Sequence, residues 1–363
     1  MNMKIAHFSE SLNEGGIAAF LANLVPAQSK NNQVEIVTVF KNDKIPNGLG
    51  NTNIKITSLN NPSSLLSCLY FPFLILKKIW ESDSEIIHIH CSFVYYIIAI
   101  FLLHNKKKFF YTVHSDAFKE KNSSRFEALI WPIKKLFFKK GWIKPVTISA
   151  QSEDSFYRLY GFHAKTIING IRLKEADKST DILKYKNTPN TRLFVHAGRI
   201  SDAKNQEVMC NAFKRLIEDG NDVHLIIAGA IQDEIIFSRL KPYWCSRITY
   251  LGSRSDILEI FRTADFMLLP SKWEGMPMTL LEAMSQGCVP ICSPVGGIPS
   301  VIVNLQNGIL STDYSEDSIY EALKLSSNLS SETRKLISNN CMKSVKEFSI
   351  EKTAIEYLEY YKT

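Results

Sequence analysis

Two glutamates, Glu274 and Glu282, stand in the segment Pro270–Gly297, PSKWEGMPMTLLEAMSQGCVPICSPVGG, and their neighbours give the pair a defined setting. Pro277 suits the first turn of a helix, where a missing N–H costs nothing, and Gly287 suits a helix end, where the backbone turns left-handed. This spacing predicts a helix over Met278–Gln286. The unpaired amides at its start, around Gly275, Met276, Pro277, Met278 and Thr279, can receive an anion with the helix dipole assisting. Glu274 lies just before that helix and Glu282 about one turn (~6 Å) inside it, so two carboxylates flank one anion-binding end.

Carboxylates beside a diphosphate repel it unless they point at something else and cations compensate. A nucleotide sugar meets that condition, because one carboxylate can accept hydrogen bonds from hydroxyls of the hexose and the other from the ribose diol, with the diphosphate between them. Arg199 and Lys204, in HAGRISDAKNQE, follow a predicted strand end and are expected to supply the countercharge. The chain contains no Asp-x-Asp, the arrangement that would point to a divalent metal on the diphosphate. Cationic side chains and the helix end are expected to do that task, with no metal and no cofactor.

Elements that position these residues follow from alternation of short apolar runs with amphipathic stretches, the pattern of parallel sheets wrapped by helices. Strands are predicted at Lys4–Phe8, Val34–Val39, Ile54–Thr57, Ile86–His90, Phe109–Val113 and Pro145–Ile148, then at Leu193–His196, Val223–Ala228, Ile248–Leu251, Phe266–Leu269 and Val289–Cys292. Glycines and polar residues come just after strands: Gly15 and Gly16, His90, His114, Gly198 and Arg199, Gly229, Gly252 and Glu274. In a doubly wound sheet the carboxyl ends of the strands line the ligand crevice. Two such edges facing each other make a cleft, so the expected fold is α/β, two facing Rossmann-like domains with an interdomain cleft.

A chain of 363 residues is long for one core, and 45% hydrophobic with 22% charged residues is the composition of a folded protein. Between Gly170 and Thr191, Lys, Asp, Asn, Pro and Thr displace the periodic apolar residues. The expected division is therefore residues 1–172, a linker at 173–190, and residues 191–345. A C-terminal helix within 346–363 is expected to cross back to the first domain.

Seven cysteines without a C-x-x-C pair, and a start at MNMKIAHFSE that runs straight into a strand, fit a reducing, cytoplasmic setting. The apolar runs Leu65–Leu76 and Phe93–Leu103 are each about a dozen residues, against the roughly twenty a spanning helix needs. Charge is uneven: residues 1–150 hold 18 basic and 10 acidic residues, a net +8 against +7 for the whole chain. No nucleic-acid partner is expected. The excess clusters at Lys106–Lys108 and in Trp131–Lys144, where Lys134, Lys135, Lys139, Lys140 and Lys144 interleave with Trp131, Leu136, Phe137, Phe138 and Trp142. On a helix the apolar members can enter a membrane interface while lysines reach anionic headgroups, a peripheral contact with the inner face of the plasma membrane. The alternative is a helix that packs its apolar side on the domain and leaves the lysines in water.

The pair Glu274 and Glu282 within EGMPMTLLEAMSQG resembles the signature of family four of the retaining glycosyltransferases, which have the GT-B fold. Agreement extends through Gly15-Gly16, TVHS (Thr112–Ser115), IING (Ile167–Gly170), GRISDAKNQ (Gly198–Gln206), LIIAG (Leu225–Gly229), ADFMLLPSKWEG (Ala264–Gly275), VGGIP (Val295–Pro299) and NGIL (Asn307–Leu310). The resemblance implies that Glu282 binds the nucleotide ribose and Glu274 the donor hexose. It implies that Arg199 and Lys204 stabilise the departing diphosphate, that Gly16, beside Gly15, gives a backbone donor near the phosphates, and that His114 lies near donor sugar and acceptor. The base is expected near Gly229, Tyr250, Leu251 and Gly252. Where many relatives have Glu after VGGIP, this chain has Ser300.

The activity implied is transfer of a hexose, with retention, from a nucleotide-sugar donor to a hydroxyl of a glycan or lipid-linked acceptor, as in synthesis of surface polysaccharide (O-antigen or capsule). The favoured picture is front-face substitution, in which the leaving phosphate oxygen takes the acceptor's proton and no protein nucleophile is needed. An epimerase or hydrolase of nucleotide sugars built on the same fold is the alternative. A dinucleotide-dependent dehydrogenase is disfavoured because the G-x-G-x-x-G fingerprint is missing after the first strand. Among His7, His88, His90, His163, His196 and His224 only His88-x-His90 has a suggestive spacing. Alternate strand residues share a face, but buried strand histidines are expected to satisfy backbone groups rather than hold a metal.

Overall fold

A computed structural model describes residues 2–13, 15–43, 45–46, 48–49, 54–60, 67–179 and 181–363, without the side chains of 67–69. Leu65 at the start of the first apolar run, the Cys68 side chain and Thr180 in the expected linker lie outside the described residues. The chain forms two units, Met1–Arg172 with Ser349–Thr363, and Leu173–Phe348.

Unit one is a parallel sheet of β1 (Lys4–Ser9), β2 (Gln33–Thr38), β3 (Lys55–Ser58), β4 (Ile86–Ile89), β5 (Lys108–Val113), β6 (Ile143–Thr147) and β7 (Lys165–Thr166), in the order β3-β2-β1-β4-β5-β6-β7. Its helices are α1 (Gly16–Gln28), α2 (Ser67–Glu81), α3 (Ile97–Leu103), α4 (Ala117–Lys121), α5 (Arg125–Lys139), α6 (Ala150–Tyr160) and the C-terminal helix Ile350–Lys362. Strands covered on both faces by helices have no wet side, which is why β4 reads as a continuous apolar run broken only by His88. One core layer gathers Phe71, Ile100, Phe137, Phe138 and Phe156, and the other Phe20, Val25, Phe110, Tyr357 and Tyr361. The C-terminal helix is tied down where Ile350 N–H donates to Ile171 O at 2.8 Å. Gly170 permits that approach, since a Cβ there would lie 2.5 Å from Ser349 O.

Helix α5 departs from the expected arrangement of Trp131–Lys144. Lys134 is 3% exposed and reaches Glu120 Oε1 at 2.5 Å, while Phe137 and Phe138 are buried and Trp131 and Trp142 pack against the core. Phe137 and Phe138 are core residues because, seven and eight positions on, they share the face of Ile130 on a 3.6-residue period. Of the expected apolar members Leu136 is exposed, and it is joined by Phe126, Leu129 and Ile133 in a second stripe at helical spacing. Among the described residues no helix is long and apolar enough to cross a membrane.

Unit two repeats the architecture with β8 (Arg192–Ala197), β9 (Val223–Ala228), β10 (Ile248–Tyr250), β11 (Phe266–Leu269), β12 (Val289–Cys292) and β13 (Ile309–Leu310), all parallel in the order β10-β9-β8-β11-β12-β13. Its helices are α7 (Gln206–Glu218), α8 (Glu234–Leu240), α9 (Ile257–Thr263), α10 (Met278–Ser285), α11 (Glu316–Asn328) and α12 (Ser331–Ser344). The polar stretch 173–190 packs on this unit: Ala176 N–H donates to Gln286 Oε1 at 3.0 Å, Ser179 N–H to Thr263 Oγ1 at 2.7 Å, and Ile182 is buried. Strand order reverses between β1 and β4 in one sheet and between β8 and β11 in the other, the places where such sheets open a crevice beyond their carboxyl ends.

Candidate active site

Beyond β8 the chain enters a tight loop whose geometry is set from beneath. His196 Nδ1–H donates to Leu268 O at 2.9 Å, so its Nε2 is an acceptor 3.2 Å from Gln206 Nε2, which also donates to Arg199 O at 2.8 Å. Burial pulls the His196 pKa down to about 4, which keeps the ring neutral and this division of roles in place. Asn205 adopts φ 57°, a left-handed conformation that asparagine tolerates, and its amide donates to Pro270 O and Tyr314 O at 3.1 and 2.9 Å. The loop is thereby fastened on both sides, presenting Arg199 and Lys204 near the switch point between β8 and β11.

Lys204 Nζ lies 2.5 Å from Glu274 Oε1, and Ser271 Oγ–H donates to the same oxygen at 2.6 Å. Among the described residues Glu274 Oε2 and the exposed guanidinium of Arg199 have no partner. Lys272 adds a second strap, with its amide on Ala203 O at 2.9 Å and its ammonium on Asp202 at 2.5 Å. Glu274 is backed by the glycine pair of Val295–Pro299: Gly297 N–H donates to Gly275 O at 2.6 Å, and at Gly296, with φ 63°, a Cβ would lie 2.3 Å from Glu274 O. The Ser300 hydroxyl donates to Gly297 O at 2.6 Å, behind that turn.

Helix α10 begins at Met278 after Pro277 and has neither a side-chain cap nor an acid in its first turn, so its leading amides are available to an anion. It ends at Ser285, one residue short of the expected Gln286, and Gly287 follows with φ 76°. Met276, Pro277 and Met278 have buried side chains and Thr279 is half-buried, so what this segment can offer a ligand is backbone. Glu282 is half-buried, without a partner among the described residues, and burial raises its pKa to about 7.

The glycines ending β8, β9 and β10 lace those strands together. Gly198 N–H donates to Ala228 O at 2.9 Å, Gly229 N–H to Gly252 O at 2.8 Å, and the Tyr250 hydroxyl to Gly229 O at 2.7 Å. A Cβ on Gly229 would lie 2.0 Å from Gly198 O, so that position requires glycine. Tyr250 stacks on Trp244 with ring centres 5.7 Å apart, and Leu251 beside it is half-buried.

The remaining site candidates belong to the first unit. Gly15, with φ 152°, caps α1 and Gly16 opens it; around both, a Cβ would meet nothing within 4 Å. His114 follows β5 and is half-buried. The strand histidines differ from expectation: His196 does bond a backbone carbonyl, but His7, His88 and His90 bond side chains. Sequence reasoning passed over Ser271, Asn205, Gln206, Gly296 and His196 as supporting residues. The signal for Asn205, Gln206, Gly296 and Ser271 was their place inside GRISDAKNQ, VGGIP and ADFMLLPSKWEG, while His196 lies outside these motifs.

Residues 14–175 match the family described as Glycosyltransferase Family 4, and residues 177–343 match Glycosyl transferases group 1. The capsular polysaccharide biosynthesis glycosyltransferase CapH of Staphylococcus aureus is 24% identical over 99% of this chain and 98% of its own. The UDP-Gal:alpha-D-GlcNAc-diphosphoundecaprenol alpha-1,3-galactosyltransferase of Escherichia coli is 27% identical over 69% of this chain and 68% of its own. HepE of Anabaena, solved in complex with UDP-glucose, is similar with a TM-score of 0.83 at 18% identity, covering 99% of both chains. With the two family matches running in order from residue 14 to residue 343, the chain belongs to the family 4 glycosyltransferases, and its two parallel sheets are the Rossmann-like domains of a GT-B fold.

Proposed function

We propose that this glycosyltransferase is a metal-independent, retaining hexosyltransferase that uses a UDP-hexose donor and a glycan or lipid-linked acceptor in surface polysaccharide synthesis. The observation that carries the reading is the cluster at the β8–β11 switch point: Arg199 without a partner among the described residues, Lys204 on Glu274 at 2.5 Å, and the uncapped start of α10. Two cations and a helix end are what a departing diphosphate needs. In this reading Glu274 Oε2 accepts from the hexose and Glu282 from the ribose diol. Gly229, Tyr250, Leu251 and Gly252 border the base, and Gly275, Met276, Pro277, Met278 and Thr279 lend backbone to the diphosphate. Gly15 and Gly16 give phosphate donors, and His114 meets the reacting sugars. The choice of UDP and of a lipid-linked acceptor is supported by the E. coli relative, a galactosyltransferase from UDP-Gal to a diphosphoundecaprenol-linked sugar, and by the complex of Anabaena HepE with UDP-glucose.

The reaction is a front-face substitution. As the bond from the anomeric carbon to the phosphate oxygen breaks, that oxygen takes the proton of the acceptor hydroxyl, which bonds to the same face of the sugar. Arg199 and Lys204 stabilise the growing charge. A thermal-shift screen of UDP-, GDP- and ADP-hexoses, followed by mass spectrometry of products on diphosphoundecaprenol-linked sugars, tests it. A stabilisation that grows with UDP-hexose concentration and a product heavier by one hexose are expected; a response to none of these donors contradicts the reading.

The acceptor is proposed to be met at an anionic membrane, on the cytoplasmic face. Phe126, Leu129, Ile133 and Leu136 form the exposed apolar stripe of α5, and Arg125, Lys139 and Lys140 on the same helix or its end are exposed. Each such cation contributes about 1 kcal/mol near an anionic surface. Co-sedimentation with phosphatidylglycerol vesicles at low salt is expected. Lys139→Glu with Lys140→Glu and Leu129→Ser should each weaken it, and indifference of the protein to anionic vesicles would remove the membrane from the proposal. Lys134 is left unchanged because its ammonium is buried against Glu120.

A further inference from the structure

A glutamine and three histidines form one hydrogen-bonded line in the first unit. Gln28, the last residue of α1, is fully buried and places Oε1 2.8 Å from His7 Nε2. His7 Nδ1 lies 2.9 Å from His90 Nε2, and His90 Nδ1 lies 3.0 Å from His114 Nε2. His7 is in β1, His90 follows β4 and His114 follows β5. The line therefore starts in the core at the switch point and ends at the carboxyl edge of the sheet, where ligands of such sheets bind. Among the described residues His114 Nδ1, the end of the line, has no partner.

A neutral imidazole carries one N–H and one lone pair. His7 and His90 each use both nitrogens in the line, and a link made of two N–H groups or of two lone pairs is repulsive. All three rings must then take the same sense. With the Gln28 carbonyl on His7, that sense is Nε2–H at His7, at His90 and at His114, which leaves a lone pair on His114 Nδ1. Reversal of the amide would reverse every ring and end the line in an N–H. We propose that Gln28, His7 and His90 are positioning residues that hold His114 in its Nε2–H tautomer, so that Nδ1 accepts a hydrogen bond from a substrate hydroxyl.

Burial supports this arrangement by keeping the line uncharged. It pulls the pKa of His7 down to about 4 and that of His114 to about 3, and holds His90 well below its ordinary value. Direction is then the only freedom left to the line at neutral pH, and the Gln28 carbonyl facing His7 Nε2 selects one of its two senses. His88 stands outside: its ring is 4.1 Å from that of His90, but Nδ1 is 2.5 Å from the Tyr361 hydroxyl and Nε2 2.7 Å from Thr112 Oγ1. Ring nitrogens of His7, His88 and His90 lie within 4.8 Å of one another, near enough for a metal, yet all six are engaged in the hydrogen bonds just described. A metal would have to break several of them at once.

The role toward a substrate hydroxyl rests on the transfer reading above; the tautomer does not. The test is a two-bond proton–nitrogen correlation spectrum of the full chain labelled with nitrogen-15 histidine, at pH 7.5, which separates protonated from bare ring nitrogens. His7, His90 and His114 are each expected to carry the proton on Nε2. In Gln28→Met, which removes the carbonyl, His114 should show mixed tautomers, and kcat should fall about tenfold with donor KM changed less than about twofold. Gln28→Glu, which keeps an acceptor toward His7, should restore the wild-type pattern. The proposal is overturned by a wild-type His114 protonated on Nδ1, by an unchanged His114 in folded Gln28→Met, or by stoichiometric metal in the purified protein. The wild-type spectrum decides even if the variants do not fold. The expected spectrum from a protein that transfers no sugar would instead overturn the transfer reading and leave the relay standing.

Discussion

Lys204 and Glu274, seventy residues apart in the chain, meet at 2.5 Å, with the lysine side chain 18% and the glutamate 10% exposed. Removing the ammonium leaves a largely buried carboxylate with only Ser271 for company. Arg199 has no such debt to the fold, because its side chain is exposed and forms no ion pair among the described residues. The two cations are thus separable by stability although the proposed chemistry uses both. Lys204→Ala should lower stability by about 1–3 kcal/mol and Arg199→Ala by much less. Turnover should fall about a hundredfold or more in each. Thermal melts and steady-state kinetics on both variants check this; near-normal turnover in both would leave the diphosphate without its countercharge.

Glu282 couples the site to pH. Burial raises its carboxyl to about 7, so the folded protein binds this proton more tightly than the unfolded chain does. The folded state is penalised as the group ionises: the penalty is absent below the unfolded value near 4.5 and complete above about 7. Glu282→Gln should therefore raise Tm more at pH 8 than at pH 5. Binding of UDP should run the other way. The ionised carboxylate is the better acceptor for a ribose diol, so affinity should fall as pH drops through about 7. Calorimetric titrations at pH 6 and 8 read this directly, and a pH-independent affinity in wild type would detach Glu282 from the ribose.

The two glutamates should also divide the donor between them. Glu282→Ala is expected to weaken binding of free UDP, whereas Glu274→Ala should spare UDP and impair use of the UDP-hexose. Equal losses of UDP affinity in the two variants would contradict the assignment of one carboxylate to each sugar.

Much of this arrangement was legible in the residues. The longer strands fall within about two residues of their expected ends, because buried parallel strands read as apolar runs bounded by polar residues. Strands β7 and β13 were missed, since two residues carry no period. The Pro277 and Gly287 signals located α10 because each acts locally, through a missing N–H and a positive φ. Lys134 was misread because a lysine next to Lys135 looks solvated until Glu120, fourteen residues earlier, is seen to meet it. Long-range partners hid the histidine line as well: His7 and His90 are 83 residues apart, and only the pairing of β1 with β4 brings them together. The same limit concealed His196, whose role depends on what stands behind it rather than on its own spacing.

The most direct measurement is a proton NMR spectrum of the product that the wild-type enzyme forms from a UDP-α-hexose and a diphosphoundecaprenol-linked sugar, with EDTA present throughout. Transfer assisted by Arg199 and Lys204, with leaving group and acceptor on one face, predicts that the product forms under these conditions and carries an α linkage. A β linkage, or transfer that appears only when a divalent metal is restored, would contradict the account.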